Sequence, residues 1–189
     1  MREVIEIRWH GRGGQGAVTA AKLLAEAALR EGKHIQAFPE YGPERTGAPV
    51  KSFNRISTKP ILRHCHVTNP QIVAVLDPTL IDVVDVAGGI PPGGAIIVNT
   101  SLSPAELKNK LDCGDIKVFT VDATKISIDK LGRNIPNTPM IGALVKVSGV
   151  IKLESLVEAF KDDFGAKLNT QALEGNIAAI RAAHDEVKN

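Results

Sequence analysis

A glycine-rich hexapeptide stands near the start of the chain: Gly11-Arg12-Gly13-Gly14-Gln15-Gly16. Glycines at that spacing let a backbone approach a ligand closely, and a helix opening behind them offers free N–H groups and a partial positive charge to a phosphate. The pattern Gly11-x-Gly13-x-x-Gly16 follows an apolar, alternating segment and precedes a helical one, the context a dinucleotide-binding turn requires. Such a turn also needs an acidic residue at the end of the second strand, to bind a ribose hydroxyl. Glu40, between Pro39 and Tyr41, is the residue available. The alternative is a tight turn that packs helix on strand and binds nothing by itself. A triphosphate-binding loop is excluded, because Ala17-Val18 stand where its lysine and hydroxyl residue belong.

Other clusters carry less chemistry. His64-Cys65-His66 puts two imidazoles on one face of an expected strand and the thiol on the other, with no second His/Cys cluster to complete a tetrahedral metal site. Gly114-Asp115 resembles the start of a thiamine-diphosphate magnesium motif, but Ile116 follows where glycine is needed. Neither a Gly-x-Ser-x-Gly elbow nor a His-Glu-x-x-His helix is present. Two cysteines, Cys65 and Cys113, are too few for a [4Fe–4S] cluster, which takes four thiolates. No catalytic residue and no metal ligand is therefore assigned to this chain.

The elements that must position the glycine turn follow from periodicity. Residues 4–9 alternate as a strand, and residues 17–30 form a helix whose polar positions Thr19, Lys22, Glu26 and Arg30 make one narrow stripe, ended by Gly32. Residues 34–38 form a second strand, so the first forty residues read as a βαβ unit. Residues 50–56 and 61–65 are expected to pair as an antiparallel hairpin around Ser57-Thr58-Lys59-Pro60. Residues 72–76, 95–98 and 117–121 are strands, the first two apolar enough to lie inside a parallel sheet. Asp77-Pro78, Ser103-Pro104-Ala105-Glu106 and Thr138-Pro139 read as helix starts built from a cap and a proline. Gly142 and Gly149, seven apart, suggest a bare helix face, and two further helices follow within residues 151–187. The expectation is one domain over residues 1–189: a three-layer α/β/α core over 4–150, its sheet mostly parallel with an antiparallel patch, and a helical C-terminal tail.

Composition agrees with a soluble globular domain. The 189 residues are 43% hydrophobic and 23% charged, with a net charge of +2, too even for a dedicated nucleic-acid binder. No run approaches the ~20 apolar residues of a membrane span, and no secretory leader is evident, so the expected compartment is the cytoplasm. Strand C-terminal ends gather three loops on one edge, where open α/β sheets bind ligands. They carry Arg12 and Gln15, then Glu40, Tyr41, Glu44 and Arg45, then Asn137. A free-standing NAD(P)-dependent oxidoreductase is one reading of that edge; a scaffold with a degenerate nucleotide turn is another.

Three blocks resemble a known family. Ile7 through Gly16 (IRWHGRGGQG), Gln36 through Pro49 (QAFPEYGPERTGAP) and Ile135 through Leu144 (IPNTPMIGAL) are similar, in order, to the gamma subunit of pyruvate:ferredoxin oxidoreductase. The family often has alanine where this chain has Gly13. The resemblance implies a Rossmann-like domain in a cytoplasmic multi-subunit complex that converts pyruvate and coenzyme A to acetyl-CoA, CO₂ and reduced ferredoxin, reversibly. It implies alpha, beta and delta partner subunits, with thiamine diphosphate, magnesium and [4Fe–4S] clusters in those chains rather than here. It also implies a share in receiving coenzyme A, for which the candidates are Gly11, Arg12, Gly13, Gly14, Gln15, Gly16, Arg45 and Asn137. Related members act on other 2-oxo acids; the three blocks look most like the pyruvate type. Neither nucleic acid nor membrane is an expected partner.

Overall fold

The computed structural model describes residues 4–40 and 47–189. Strand β1 (Val4–Arg12) leads into helix α1 (Ala17–Arg30), then β2 (His34–Glu40) and β3 (Pro49–Ser57). After β4 (Ile72–Val75) come a 3-10 turn (Pro78–Asp82), β5 (Ala95–Asn99), α2 (Pro104–Leu111) and β6 (Lys117–Val121). Helices α3 (Ala123–Leu131), α4 (Asn137–Ser148), α5 (Leu153–Phe164) and α6 (Thr170–Glu186) complete the described residues. The strands form one six-stranded sheet in the order β2-β3-β1-β4-β5-β6. Strands β1, β4, β5 and β6 run parallel, and β3 is antiparallel to both of its neighbours.

The α/β architecture matches the expectation, while two pairings differ. Strand β2 does not lie beside β1, because β3 is inserted between them. Ser52 and Asn54 of β3 explain the insertion: their side chains donate to the carbonyls of Ala17 and Ala21 on α1, and Asn54 accepts from the indole N–H of Trp9 on β1 (2.8 Å). The hairpin to residues 61–65 is absent, since both edges of β3 are already taken by β1 and β2. His64, Cys65 and His66 thus stand on an irregular, exposed segment rather than on a strand.

Two apolar clusters sandwich the sheet. The larger one joins Ile7, Trp9, Ala74 and Ile97 to α1, α4, α5 and α6; the smaller joins Val73, Val75, Ile96 and Val98 to Leu80 and to Leu107 of α2. Strand β4, and β5 up to its terminal Asn99, are apolar because both their faces are covered. The C-terminal helices contribute Leu156, Phe160 and Ile180 to the larger cluster.

Helix α1 buries six alanines, which let it lie close to the sheet and to α4 and α5. Its outer surface carries the predicted polar stripe together with exposed Val18 and Leu29. Ser103 and Glu106 form the expected capping box of α2. Asp77 caps a 3-10 turn of five residues rather than a full helix. Helix α4 begins one residue earlier than its Thr138-Pro139 signal, with Pro136 at the cap and Thr138 and Pro139 buried within its first turn, where a missing N–H costs nothing. Gly142 meets α6 directly: an added Cβ would stand 2.1 Å from the Ile180 carbonyl oxygen. Gly149 serves differently, ending α4 in the left-handed region at φ 59. Among the described residues, no helix is long and apolar enough to cross a membrane.

Candidate functional site

The C-terminal ends of β1 and β4 diverge at the point where the chain sends one connection to each side of the sheet, the usual ligand position in such folds. The glycine turn sits there. Gly14 (φ 96) and Gly16 (φ 80) take the left-handed backbone that other residues avoid. Gly16 is the residue at which α1 starts, and no side chain caps that start. Asn137, the first residue of α4, presses on it: a Cβ at Gly16 would lie 2.5 Å from Asn137 Nδ2. Asn137 Oδ1 is buried without a hydrogen-bond partner. The turn is also tied to the start of β3, with Gly13 N–H donating to the Ala48 carbonyl (2.9 Å) and Gly47 N–H to the Gly13 carbonyl (3.2 Å).

Asp77, at the end of β4, holds the turn's side chains. Its Oδ2 accepts from Arg12 Nε (3.1 Å) and Gln15 Nε2 (2.7 Å), and its Oδ1 from Thr79 N–H (3.0 Å) and Thr79 Oγ1 (2.6 Å). Arg12 also donates from Nη1 to the Gly47 carbonyl (3.2 Å) and from Nη2 to Thr79 Oγ1 (2.8 Å), while its own N–H reaches Gln15 Oε1 (2.8 Å). The Asp77 carboxylate, 9% exposed, thereby ties the glycine turn to the end of β4, and Arg12 extends the link to Gly47 before β3. Burial alone would raise that carboxyl, but the hydrogen bonds from Thr79 and Gln15 and the Arg12 charge outweigh it and hold it below the usual carboxylate range.

Two clefts flank the turn. One, of about 440 Å³, sets the polar side chains of Gln15, Asp77, Thr79, Asn99, Thr124 and Asn134 among Leu76, Ile135 and Pro136. Asn99 is fixed there by donating to the Leu76 carbonyl (2.8 Å) and to Thr124 Oγ1 (2.9 Å), and by accepting from Thr124 N–H (3.0 Å). The other, of about 320 Å³, is more apolar, with Val18, Pro39 and Val50 on its wall.

Behind the turn, on the sheet face away from α1, lie His10 (2% exposed) and Arg8 (8% exposed). Arg8 Nη2 donates to the carbonyls of Val86 (3.0 Å) and Gly88 (2.7 Å), whereas Arg8 Nε and His10 Nε2 have no partner. Burial, then the Arg8 and Lys51 charges, push the His10 imidazole down to about 3, so it is neutral at physiological pH.

The structure therefore brings Gly11, Arg12, Gly13, Gly14, Gln15, Gly16 and Asn137 together. Arg45, with Tyr41 and Glu44, lies outside the described residues. Glu40 ends β2 two strands from β1, roughly 9–10 Å away at ordinary strand spacing, and pairs with Lys51 (3.4 Å). It nevertheless lines the second cleft together with Arg12, Gly13, Gly14 and Gly16, while Arg12, Gln15 and Asp77 bond to one another in the crevice. Asp77, Thr79, Asn99, Thr124 and Asn134 were not among the expected site residues. Asp77-Pro78 was legible only as a helix start.

Glycine turn, mixed sheet and the clefts at their edge define an α/β domain with its ligand-binding edge at the strand C-terminal ends. The chain belongs to the pyruvate ferredoxin/flavodoxin oxidoreductase family, whose model matches residues 6–186. It is 49% identical over 183 residues to the pyruvate/ketoisovalerate oxidoreductases common subunit gamma of Thermococcus litoralis, covering 97% of each chain. It is 46% identical over 185 residues to pyruvate synthase subunit PorC of Methanothermobacter thermautotrophicus, covering 98% of this chain and 97% of that one. The crystal structure of pyruvate oxidoreductase subunit PORC from Thermotoga maritima superposes with a TM-score of 0.88 at 42% identity, over 99% of this chain and 98% of that one.

Proposed function

We propose that this chain is the gamma subunit of a pyruvate:ferredoxin oxidoreductase, which oxidatively decarboxylates pyruvate with coenzyme A to acetyl-CoA, CO₂ and reduced ferredoxin, and runs in reverse. The observation that carries this reading is similarity to gamma subunits along essentially the whole chain, glycine turn included. Thiamine chemistry and electron transfer then belong to partner alpha, beta and delta chains. The residues here do not suit those groups: Gly114-Asp115 lies in the turn between α2 and β6, at the sheet end opposite the glycine turn, and two cysteines are too few for a [4Fe–4S] cluster.

Coenzyme A carries several phosphate charges, and the glycine turn presents the uncapped N-terminus of α1 beside the start of α4. In this reading the anionic part of coenzyme A lies in the larger cleft at the turn, and Arg12 acts by building the turn, because Asp77, Gly47 and Thr79 occupy its donors. Arg45, from its place in the sequence, is proposed to meet phosphate directly. Partner chains supply most of the 2-oxo acid pocket; the relatives' names give pyruvate, with ketoisovalerate beside it for the Thermococcus litoralis subunit.

Co-expression with candidate partner subunits tests the proposal. The expected result is a stable complex with thiamine diphosphate that reduces viologen when given both pyruvate and coenzyme A, while the chain alone is inert. A chain that stays apart from such partners, or that is stabilised by NAD(P)H in a thermal shift, would overturn it.

A further inference from the structure

Residues 58–71 run from the end of β3 to the start of β4 without a helix or strand, a length that ordinary connections seldom reach unless they serve function. They lie at the opposite end of the sheet from the glycine turn, since Ser57 pairs with Val4 and Ile72 with Ile7. A buried arginine fixes this strap. Arg55, 1% exposed, donates from Nη2 to the Cys65 carbonyl (2.6 Å) and from Nε to Glu6 (2.7 Å), and Gln36 Nε2 donates to the Arg63 carbonyl (2.9 Å). Burying an ion pair seldom stabilises a fold by itself; here it holds the strap's backbone inward.

The strap's side chains go the other way. Leu62, Arg63, His64, Cys65 and His66 are five consecutive exposed residues, Leu62 at 85%, between buried Val67 and half-buried Ile61. A cleft of about 750 Å³ opens beside Leu62, walled by Val4, Glu6, Ile61 and Gln71. Charge on the strap itself is one-sided, because Glu6 on the cleft wall is already paired with Arg55. No Asp or Glu occurs between Arg55 and Asp77, although the chain has 21 acids in 189 residues. Among the described residues Arg63 makes no ion pair.

We propose that this strap is a docking surface for an acidic-rimmed apolar patch on another subunit of the complex, with Leu62 as the apolar anchor and Arg63 as its charged neighbour. The proposal rests on the gamma-subunit reading. Its place at the far end of the sheet lets a partner bind while the glycine turn stays open to its ligand. Complementary charge on the partner supplies register and association rate, and the anchor supplies residence time.

The test is assembly with the co-expressed partner subunits. Leu62→Asp combined with Arg63→Glu is expected to weaken association at least tenfold, to leave the melting temperature of the chain unchanged, and to lose activity that excess variant subunit restores. Ile128→Asp with Lys130→Glu, on the exposed side of α3, is the control and is expected to assemble normally. Assembly of the strap variant at wild-type affinity would overturn the proposal, as would equal loss in the control. Self-association of the isolated wild-type chain that the strap variant abolishes would also overturn it, by making a second copy the occupant. A wild-type chain that binds no partner instead refutes the gamma-subunit reading.

Discussion

Replacing Asp77 with alanine removes one carboxylate and four hydrogen bonds at once. Loss of the cap on the 3-10 turn costs about 1 kcal/mol. Leaving the Gln15 amide without its acceptor costs about 1 kcal/mol more. The Arg12 contact is a charge-assisted bond, but the Arg12 side chain is 30% exposed, so water screens it to about 1 kcal/mol. Asp77→Ala is therefore expected to destabilise the chain by about 3 kcal/mol in urea unfolding at pH 7. Asp77→Asn keeps the cap and turns an amide donor toward Gln15 and Arg12, and about 1–2 kcal/mol is expected. A double-mutant cycle with Arg12→Ala isolates the ion pair and is expected to give a coupling of about 1 kcal/mol. The sign with pH follows from the depressed carboxyl: its stabilisation is present above the unfolded-state pKa and is lost as pH falls through the lower folded value, so the coupling fades below about pH 4. A coupling within about 0.3 kcal/mol of zero, or an Asp77→Ala variant as stable as wild type, would refute Asp77 as the hub of the turn.

His10 is buried neutral with its pKa near 3 against 6.5 for a free imidazole, so stability present above about pH 6.5 is lost as pH falls; about 2 kcal/mol is expected to go between pH 7 and pH 5, and His10→Gln should flatten that slope in denaturation curves. Gly16→Ala must adopt φ 80 and meet Asn137; a cost of about 1–2 kcal/mol is expected from the backbone alone, and adding Asn137→Ala should relieve the contact part in thermal melts. Gly142→Ala drives a methyl into the Ile180 carbonyl and is expected to cost about 3 kcal/mol or more, with near-ultraviolet circular dichroism reporting loosened packing of α4 on α6.

How much of this the residues disclose depends on range. Helix α1 was legible to the residue because glycines bound it and its apolar pattern is local. The capping box of α2 was equally local. Strand β3 was recognised, but its neighbours were not: the bonds that seat it between β1 and β2 join Asn54 to Trp9 and Ser52 to Ala17, and no spacing along the chain announces them. The site divides in the same way. The glycine turn is a contiguous motif, whereas Asp77 stands 65 positions from Arg12 and looks from its own surroundings like any aspartate before a proline. Asn99 and Thr124 meet only because two successive parallel strand ends and a helix start converge.

The order of strands in the sheet is nearly the order in which they leave a ribosome. Residues 4–57 assemble β1, α1, β2 and β3; then β4 joins the free edge of β1, and β5 and β6 each join the strand before. No strand in that second half waits for a partner made later. Helix α1 does wait, because its outer apolar side is covered by α4 and α5, and α5 ends only at Phe164. At ~5–20 residues per second, the stretch from Ser57 to Phe164 takes roughly 5–20 s to synthesise. Through that interval the side of α1 that α4 and α5 later cover stays bare, and it is then that crowding by other chains threatens its folding.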